Sequence, residues 1–270
     1  MLRFLRQGGI GLWIIALLAI VAIAPDVFAT HAPLQISPQS RLEAPSAEHI
    51  FGTDHLGRDT YSRVVHGARI SLWAGLRVVL LASLFGTLIG LVSGLYGGMM
   101  DRVLMRAVDV FLAFPYLILA MGIAALLGRS LENAIIGLAL VWWAQYARLV
   151  RNKVLSLREM GYVTSARALG AGQARMMFRH ILPNALTPIF VKASLDVGQA
   201  ILATASLSFI GLGAAPPSPE WGAMITEARS HILDAWWLPT FPGVGIFLAV
   251  LGFNMLGDNL RDVVDPRSRS

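Results

Sequence analysis

The chain contains no cysteine, and only two of its 270 residues are lysine. The first absence excludes a disulfide framework, a thiolate metal site and a cysteine nucleophile. The second excludes a phosphate-binding loop, which needs Gly-Lys-Ser/Thr: Lys153 follows Asn152, and Lys192 follows Val191. Neither His-Glu-x-x-His nor a Gly-x-Ser-x-Gly nucleophile turn occurs. Charge is also scarce, at 14% of residues, against about 25% in a soluble domain. The chain therefore reads as non-catalytic and too poorly charged to keep a water-facing surface. A soluble enzyme, a disordered tail and a free nucleic-acid-binding domain are all excluded.

What is abundant is apolar sequence: 56% of residues are hydrophobic and the mean hydropathy is +0.63. A spanning helix needs about 20 mostly apolar residues to cross about 30 Å of hydrocarbon. Six runs approach that length: Gly8–Ala24, Val78–Tyr96, Val110–Leu127, Asn133–Ala147, Pro188–Ala214 and Ala235–Gly257. The fold class is thus an all-α membrane protein with six transmembrane helices. The first run has two readings, because Arg3, Arg6 and Ala22-Ile23-Ala24 also resemble a cleavable signal peptide. Five further spans favour a retained anchor, with residues 1–77 forming that anchor plus an outer segment.

The net charge of +6 then marks the cytoplasmic side rather than nucleic-acid binding. With both termini inside, the inner connections are 97–109, 148–187 and the end of the chain, 263–270 included. Segment 148–187 carries Arg148, Arg151, Lys153, Arg158, Arg167, Arg175 and Arg179 against Glu159 alone. The outer segment 215–240 is acidic, with Glu220, Glu227 and Asp234 against Arg229. Residues 25–77 run against this bias with Arg41, Arg58, Arg63, Arg69 and Arg77, although Asp54 and Asp59 stand near enough in sequence to neutralise part of it.

The connection between spans four and five is too long for a plain turn. Helical patterns are expected over Val154–Leu169 and over Gln173–Ile181, the second ending at Pro183. Glycines at 170 and 172 allow a sharp reversal between them. On residue types alone this is either a solvated basic loop against lipid headgroups or a docking surface.

Thr164-Ser165-Ala166, three residues, Gly170 and then Leu182-Pro183 resemble the EAA loop of ABC-importer permeases. That pattern is Glu-Ala-Ala, three residues, Gly, nine residues, Ile, any residue, Leu-Pro. Thr164 replaces Glu, Ser165 replaces Ala and His180 replaces Ile, while the spacing is intact. Five further segments are similar to the dipeptide/oligopeptide/nickel permeases of the C-subunit type. They begin at Phe51-Gly52-Thr53-Asp54, Arg179-His180-Ile181, Ser206-Leu207-Ser208-Phe209, Pro219-Glu220-Trp221-Gly222 and Asn254-Met255-Leu256-Gly257.

The resemblance implies a type I ABC importer (MetI-like) permease fold, with a permease core over 78–262 in the bacterial inner membrane. It implies a second homologous permease subunit, two cytoplasmic ABC ATPases that bind the ATP and magnesium, and an extracytoplasmic solute-binding protein. It also implies that this chain itself carries no cofactor. The coupling residues carried over are Thr164, Ser165, Ala166, Arg167, Ala168, Leu169, Gly170 and Ala171, with Leu182 and Pro183 fixing the return into span five. The implied cargo is a short peptide, or nickel or a nickel chelate in the same family. An ion-driven secondary transporter is the alternative from another class; it predicts inverted repeats, none of which stands out.

Four other features bear on function. Lys192 and Asp196 lie four apart inside span five, where Asp196 either lines a translocation path or forms a buried ion pair. Gly86, Gly90 and Gly94 make a smooth packing stripe, either within the chain or against a second subunit. Pro115 and Pro242 are expected to break or kink their spans, and Trp142-Trp143 and Trp236-Trp237 fit interfacial belts. His31, His49, His55, His66 and His231 fall in outer segments without i, i+4 spacing, so no metal ligands are assigned from sequence.

Overall fold

The computed structural model describes residues 2–264, with side chains from residue 9 to residue 262. The side chains of Arg3 and Arg6, and the tail expected at 263–270 beyond Val264, lie outside the described residues. Within them, regular structure is helical apart from one antiparallel bridge between Thr53 and Asp59. Long apolar runs in lipid leave no alternative, because a helix satisfies its own backbone polar groups.

Helix α1 covers Leu2–Ile23 and is followed by a single helical turn, Pro25–Phe28, and then a largely irregular segment that reaches α2, Thr60–Tyr96. Asp59 starts α2 as its N-cap, accepting from the Ser62 amide at 2.8 Å. At 37 residues α2 is about 55 Å long, so its first turns extend beyond the apolar run Val78–Tyr96. Helices α3 (Gly98–Ala113) and α4 (Tyr116–Leu127) meet at a 94° bend over Phe114-Pro115. The expected third span is therefore broken, as the missing amide and fixed φ of Pro115 dictate. Helix α5 is Leu131–Arg158, α6 is Gly161–Ala168, α7 is Leu182–Phe209, α8 is Trp221–Ala228 and α9 is Trp237–Val264.

By length and composition, Thr60–Tyr96, Gln173–Phe209 and Trp237–Asp262 can each cross a membrane, and the bent α3–α4 pair makes a fourth when counted as one span. Helix α1 adds the shorter apolar stretch Gly9–Ile23, and α5 carries the run Asn133–Ala147. All six expected runs thus lie mainly on helices.

The centre of the bundle is the α2–α5 pair. A Cβ placed on Gly86, Gly90 or Gly94 would stand 2.4–2.7 Å from atoms of α5, so the stripe packs within the chain. Val78, Ala82, Leu138 and Tyr146 close the surrounding core without measurable exposure. Helix α7 packs across α2, α5 and α9, and α1 lies against α9 and α2.

Several local expectations are corrected. The helix expected over Val154–Leu169 breaks at Glu159-Met160, between α5 and α6. The second stretch does not end at Pro183. Met176–Ile181 widens into a π-helical turn, the Leu182 amide bonding the Met177 carbonyl, and the helix runs on through Pro183. Such widening reroutes backbone bonds that a proline would otherwise leave unmade. Pro242 sits inside an unbroken α9. Trp142 and Trp143 are core residues: Trp142 packs edge-on against Tyr116, and Trp143 against Phe85 and Phe111. Trp237 is buried as well, while Trp236 is exposed.

Candidate coupling surface and translocation cavity

Helix α6 is set off by breaks at both ends and anchored on one side only. Val163 is fully buried and reaches the core beside Met176 and Ile181. Thr164, Ser165, Arg167, Ala168 and Gly170 face outward, Ala166 and Ala171 are half-buried, and Leu169 is 89% exposed. Gly170 adopts φ +82 with open space where a Cβ would project, so its requirement is the turn itself and not contact inside this chain. Thr164, which stands where the resembled pattern has Glu, donates from Oγ1 to the Gly161 carbonyl at 2.9 Å. The start of this helix therefore carries no charge outward. Leu182 is half-buried and Pro183 exposed at the return into α7.

The basic residues preceding this helix are mostly engaged with the bundle. Arg151 holds Asp101 through two bonds of 2.6 Å, Arg158 donates to the Gly94 carbonyl at 2.8 Å, and Arg148 binds Asp109. The α3–α5 contact brings Arg148 to Asp109, 39 residues away in sequence. Arg167 and Arg175 remain exposed.

On α7, Lys192 and Asp196 pair as their spacing predicts, at 3.0 Å. Lys192 also donates to Gln145 of α5 at 3.0 Å and lies over the Tyr146 ring. It does not extend outward as a headgroup-seeking lysine would. Gln145, Lys192 and Asp196 line an open cavity of ≈ 590 Å³, together with Gln199 and Arg261. A recess at helical mid-length, with charged and amide side chains set in an otherwise apolar wall, is where a solute could be held.

A third assembly stands at the opposite end of the bundle from α6. Arg58 and Arg63, each at most 2% exposed, share the Glu227 carboxylate at 2.9 and 2.7 Å, and Arg58 also binds Asp54 at 2.6 Å. This accounts for much of the excess of arginine in segment 25–77. Asp54 is the partner that sequence proximity suggests. Glu227 is not legible that way, since it lies 169 residues from Arg58. Glu220 is fully buried and caps α8, accepting from the Gly222 and Ala223 amides at 3.0 and 2.9 Å. Ser71 of α2 accepts from the Trp221 amide at 3.2 Å, tying this cap to α2. Nearer the apolar run of α5, Arg77 grips Glu132 and holds that carboxylate below its usual range.

Comparison with known proteins bears on the chain as a whole. Residues 86–270 match the family described as "Binding-protein-dependent transport system inner membrane component". The chain is 48% identical over 261 residues to a dipeptide transport system permease protein, DppC, of Alkalihalophilus pseudofirmus, covering 97% of this chain and 86% of that one. It is 44% identical to the glutathione transport system permease protein GsiD of Pectobacterium atrosepticum, covering 99% and 90% respectively. Among solved structures, a chain of the MetNI methionine ABC transporter in an inward-facing conformation aligns with a TM-score of 0.54 at 21% identity, over 73% of this chain and 95% of that one. That likeness concerns the fold alone.

Proposed function

Because the chain belongs to the family of binding-protein-dependent transport system inner membrane components, we propose that it forms half of the membrane pathway of an ATP-driven importer for short peptides. The chain is a non-catalytic permease subunit of an ABC importer in the bacterial inner membrane, and ATP is hydrolysed by partner ATPases. The peptide assignment rests on relatives named for dipeptide and glutathione transport; neither is a nickel permease by name.

In this reading a second, homologous permease completes the pathway, and an extracytoplasmic binding protein delivers the peptide to the end where Glu227 and Arg58 lie. Both termini and α6 then face the cytoplasm. Nucleotide binding closes the two ATPases and draws the paired α6 helices together. That movement shifts the permeases from an inward- to an outward-facing state, and hydrolysis resets them. Ligands drive such a switch only through unequal affinity for the two states. The Lys192–Asp196 pair lines the path and offers one positive and one negative group, which suits a zwitterionic peptide.

The observation that carries the proposal is the exposed, one-sided helix α6, with Val163 buried in its own bundle and Leu169 projecting 89% exposed. A docked ATPase would cover this side. The test is ATPase activity of the assembled complex in nanodiscs with Gly170→Arg, which places a long charged side chain at the reversal. Peptide-stimulated hydrolysis should fall to the basal rate while the permease stays folded. Undiminished stimulation would refute coupling through 164–183.

A further inference from the structure

We propose that His31, His49 and Asp59 form a binding site for a divalent transition-metal cation that ties down the irregular segment between α1 and α2. The three residues come from separate stretches of the chain, and one ligand atom from each lies within 4.8 Å of the others. Asp59 is shaped for two tasks at once. Its Oδ2 accepts from the Ser62 amide at 2.8 Å and from Thr30 Oγ1 at 3.4 Å, capping α2. Its Oδ1 faces both imidazoles, 2.9 Å from His49 Nδ1 and 3.8 Å from His31 Nδ1. Metal binding at Oδ1 therefore leaves the helix cap intact.

The distances fit the chemistry. Bonds of about 2.0–2.1 Å in a tetrahedral site separate neighbouring ligand atoms by about 3.4 Å. The two edges through Asp59 straddle that value. His31, whose side chain is 34% exposed, has room to swing and adjust the remaining distances, whereas His49 at 9% does not. Two imidazoles and one carboxylate form a ligand set suited to zinc, cobalt or nickel. A cavity of ≈ 160 Å³ beside them, lined also by Gln35, Ser37 and Glu48, leaves room for water at the fourth position.

The surroundings give the site a purpose. Between Ala29 and Asp59 the chain forms one short 3-10 turn and no longer helix, and without cysteine it has no disulfide to close that loop. A cation joining residues 31, 49 and 59 would close it instead, and binding energy of this kind is folding energy for the segment.

The experiment uses the full chain, carrying a tag without histidine, in nanodiscs stripped with a chelator. Cobalt(II) and then zinc(II) are added, and metal content, visible spectrum and thermal midpoint are recorded. The expected result is one equivalent per chain, the strong visible bands of tetrahedral cobalt, and a raised midpoint with zinc. His31→Gln, chosen because that side chain is half-exposed and caps nothing, should bind at least ~100-fold more weakly and lose the zinc-dependent stabilisation. His55→Gln, from the separate His55–His231 ring pair at 5.9 Å, should retain both. Equal binding by wild type and His31→Gln would overturn the proposal. So would an octahedral cobalt spectrum only, or loss of the equivalent in His55→Gln.

Discussion

Gly90→Ala adds one methyl group where α2 and α5 approach closely, and the structure fixes the sign of its effect. The new Cβ would meet the Ala147 carbonyl oxygen at 2.5 Å, Val150 Cβ at 2.8 Å and the Arg151 amide nitrogen at 3.0 Å. Comfortable non-bonded separations are about 3.5–4.0 Å, so α2 and α5 must part locally by about 1 Å. Two of the three obstacles are backbone atoms, which cannot turn aside as the end of a long side chain can. Gly86 and Gly94, one turn away on either side, make equally close approaches, so the helices cannot tilt about the new methyl without losing those contacts. Overpacking of this kind costs about 1–3 kcal/mol. The gain in helix propensity from Gly to Ala offsets at most about 1 kcal/mol. Gly90→Ala should thus destabilise the folded chain by ~1–2 kcal/mol. Gly122→Ala is the matched control: it lies in α4 with nothing within 4 Å of its Cβ and should be neutral or stabilising by up to ~1 kcal/mol. Reversible unfolding of the isolated chain in mixed micelles titrated with SDS, followed by tryptophan fluorescence, measures both. Gly90→Ala at least as stable as Gly122→Ala would refute the view that backbone proximity holds α2 to α5.

Two further outcomes are expected. Glu227→Gln leaves Arg58 and Arg63, both nearly fully buried, without their shared anion. Removing one partner from a buried pair costs about 3–5 kcal/mol, so the SDS midpoint should drop more than for Gly90→Ala, and an unchanged midpoint would show that Asp54 alone suffices. The Glu132 carboxylate is held down first by its hydrogen bonds from Arg77. A group with a depressed folded-state pKa contributes stability at neutral pH that disappears as pH falls through that lowered value. The loss should occur on the acid side only, stay below about 1 kcal/mol because both side chains are substantially exposed, and vanish in Glu132→Gln; an identical acid slope in that variant would count against the pair.

How much of this was readable in the sequence depended on distance along the chain. The apolar runs announced the helices because lipid allows a spanning segment so few options, and Lys192–Asp196 was legible because four residues make a helical turn. The coupling spacing from Thr164 to Pro183 was visible as a pattern, but the break at Glu159-Met160 was not, since neither residue forbids a helix. Trp142 and Trp143 misled for a related reason. Their side chains suit an interface, and only the fold reveals that Tyr116, Phe85 and Phe111 converge on them. Partners drawn from remote helices, such as Glu227 for Arg58 and Arg148 for Asp109, leave no local trace. The Asp59 carboxylate is the extreme case: its sequence position signals a helix cap, while its second oxygen meets two histidines brought in by a segment with little regular structure.

The widened turn at Met176–Ile181 changes how the rod from Gln173 to Phe209 is phased. A π turn holds one residue more than an α-helix of the same rise, and one residue corresponds to about 100° of rotation around the axis. The face that Lys192 and Asp196 turn toward the cavity is therefore offset from the face that Gln173 and Arg175 present at the other end. An uninterrupted α-helix over the same span would lack that offset. In the proposed importer, the extra residue sets the angular register between the end beside α6 and the cavity wall, and it does so while both ends remain parts of a single stiff element.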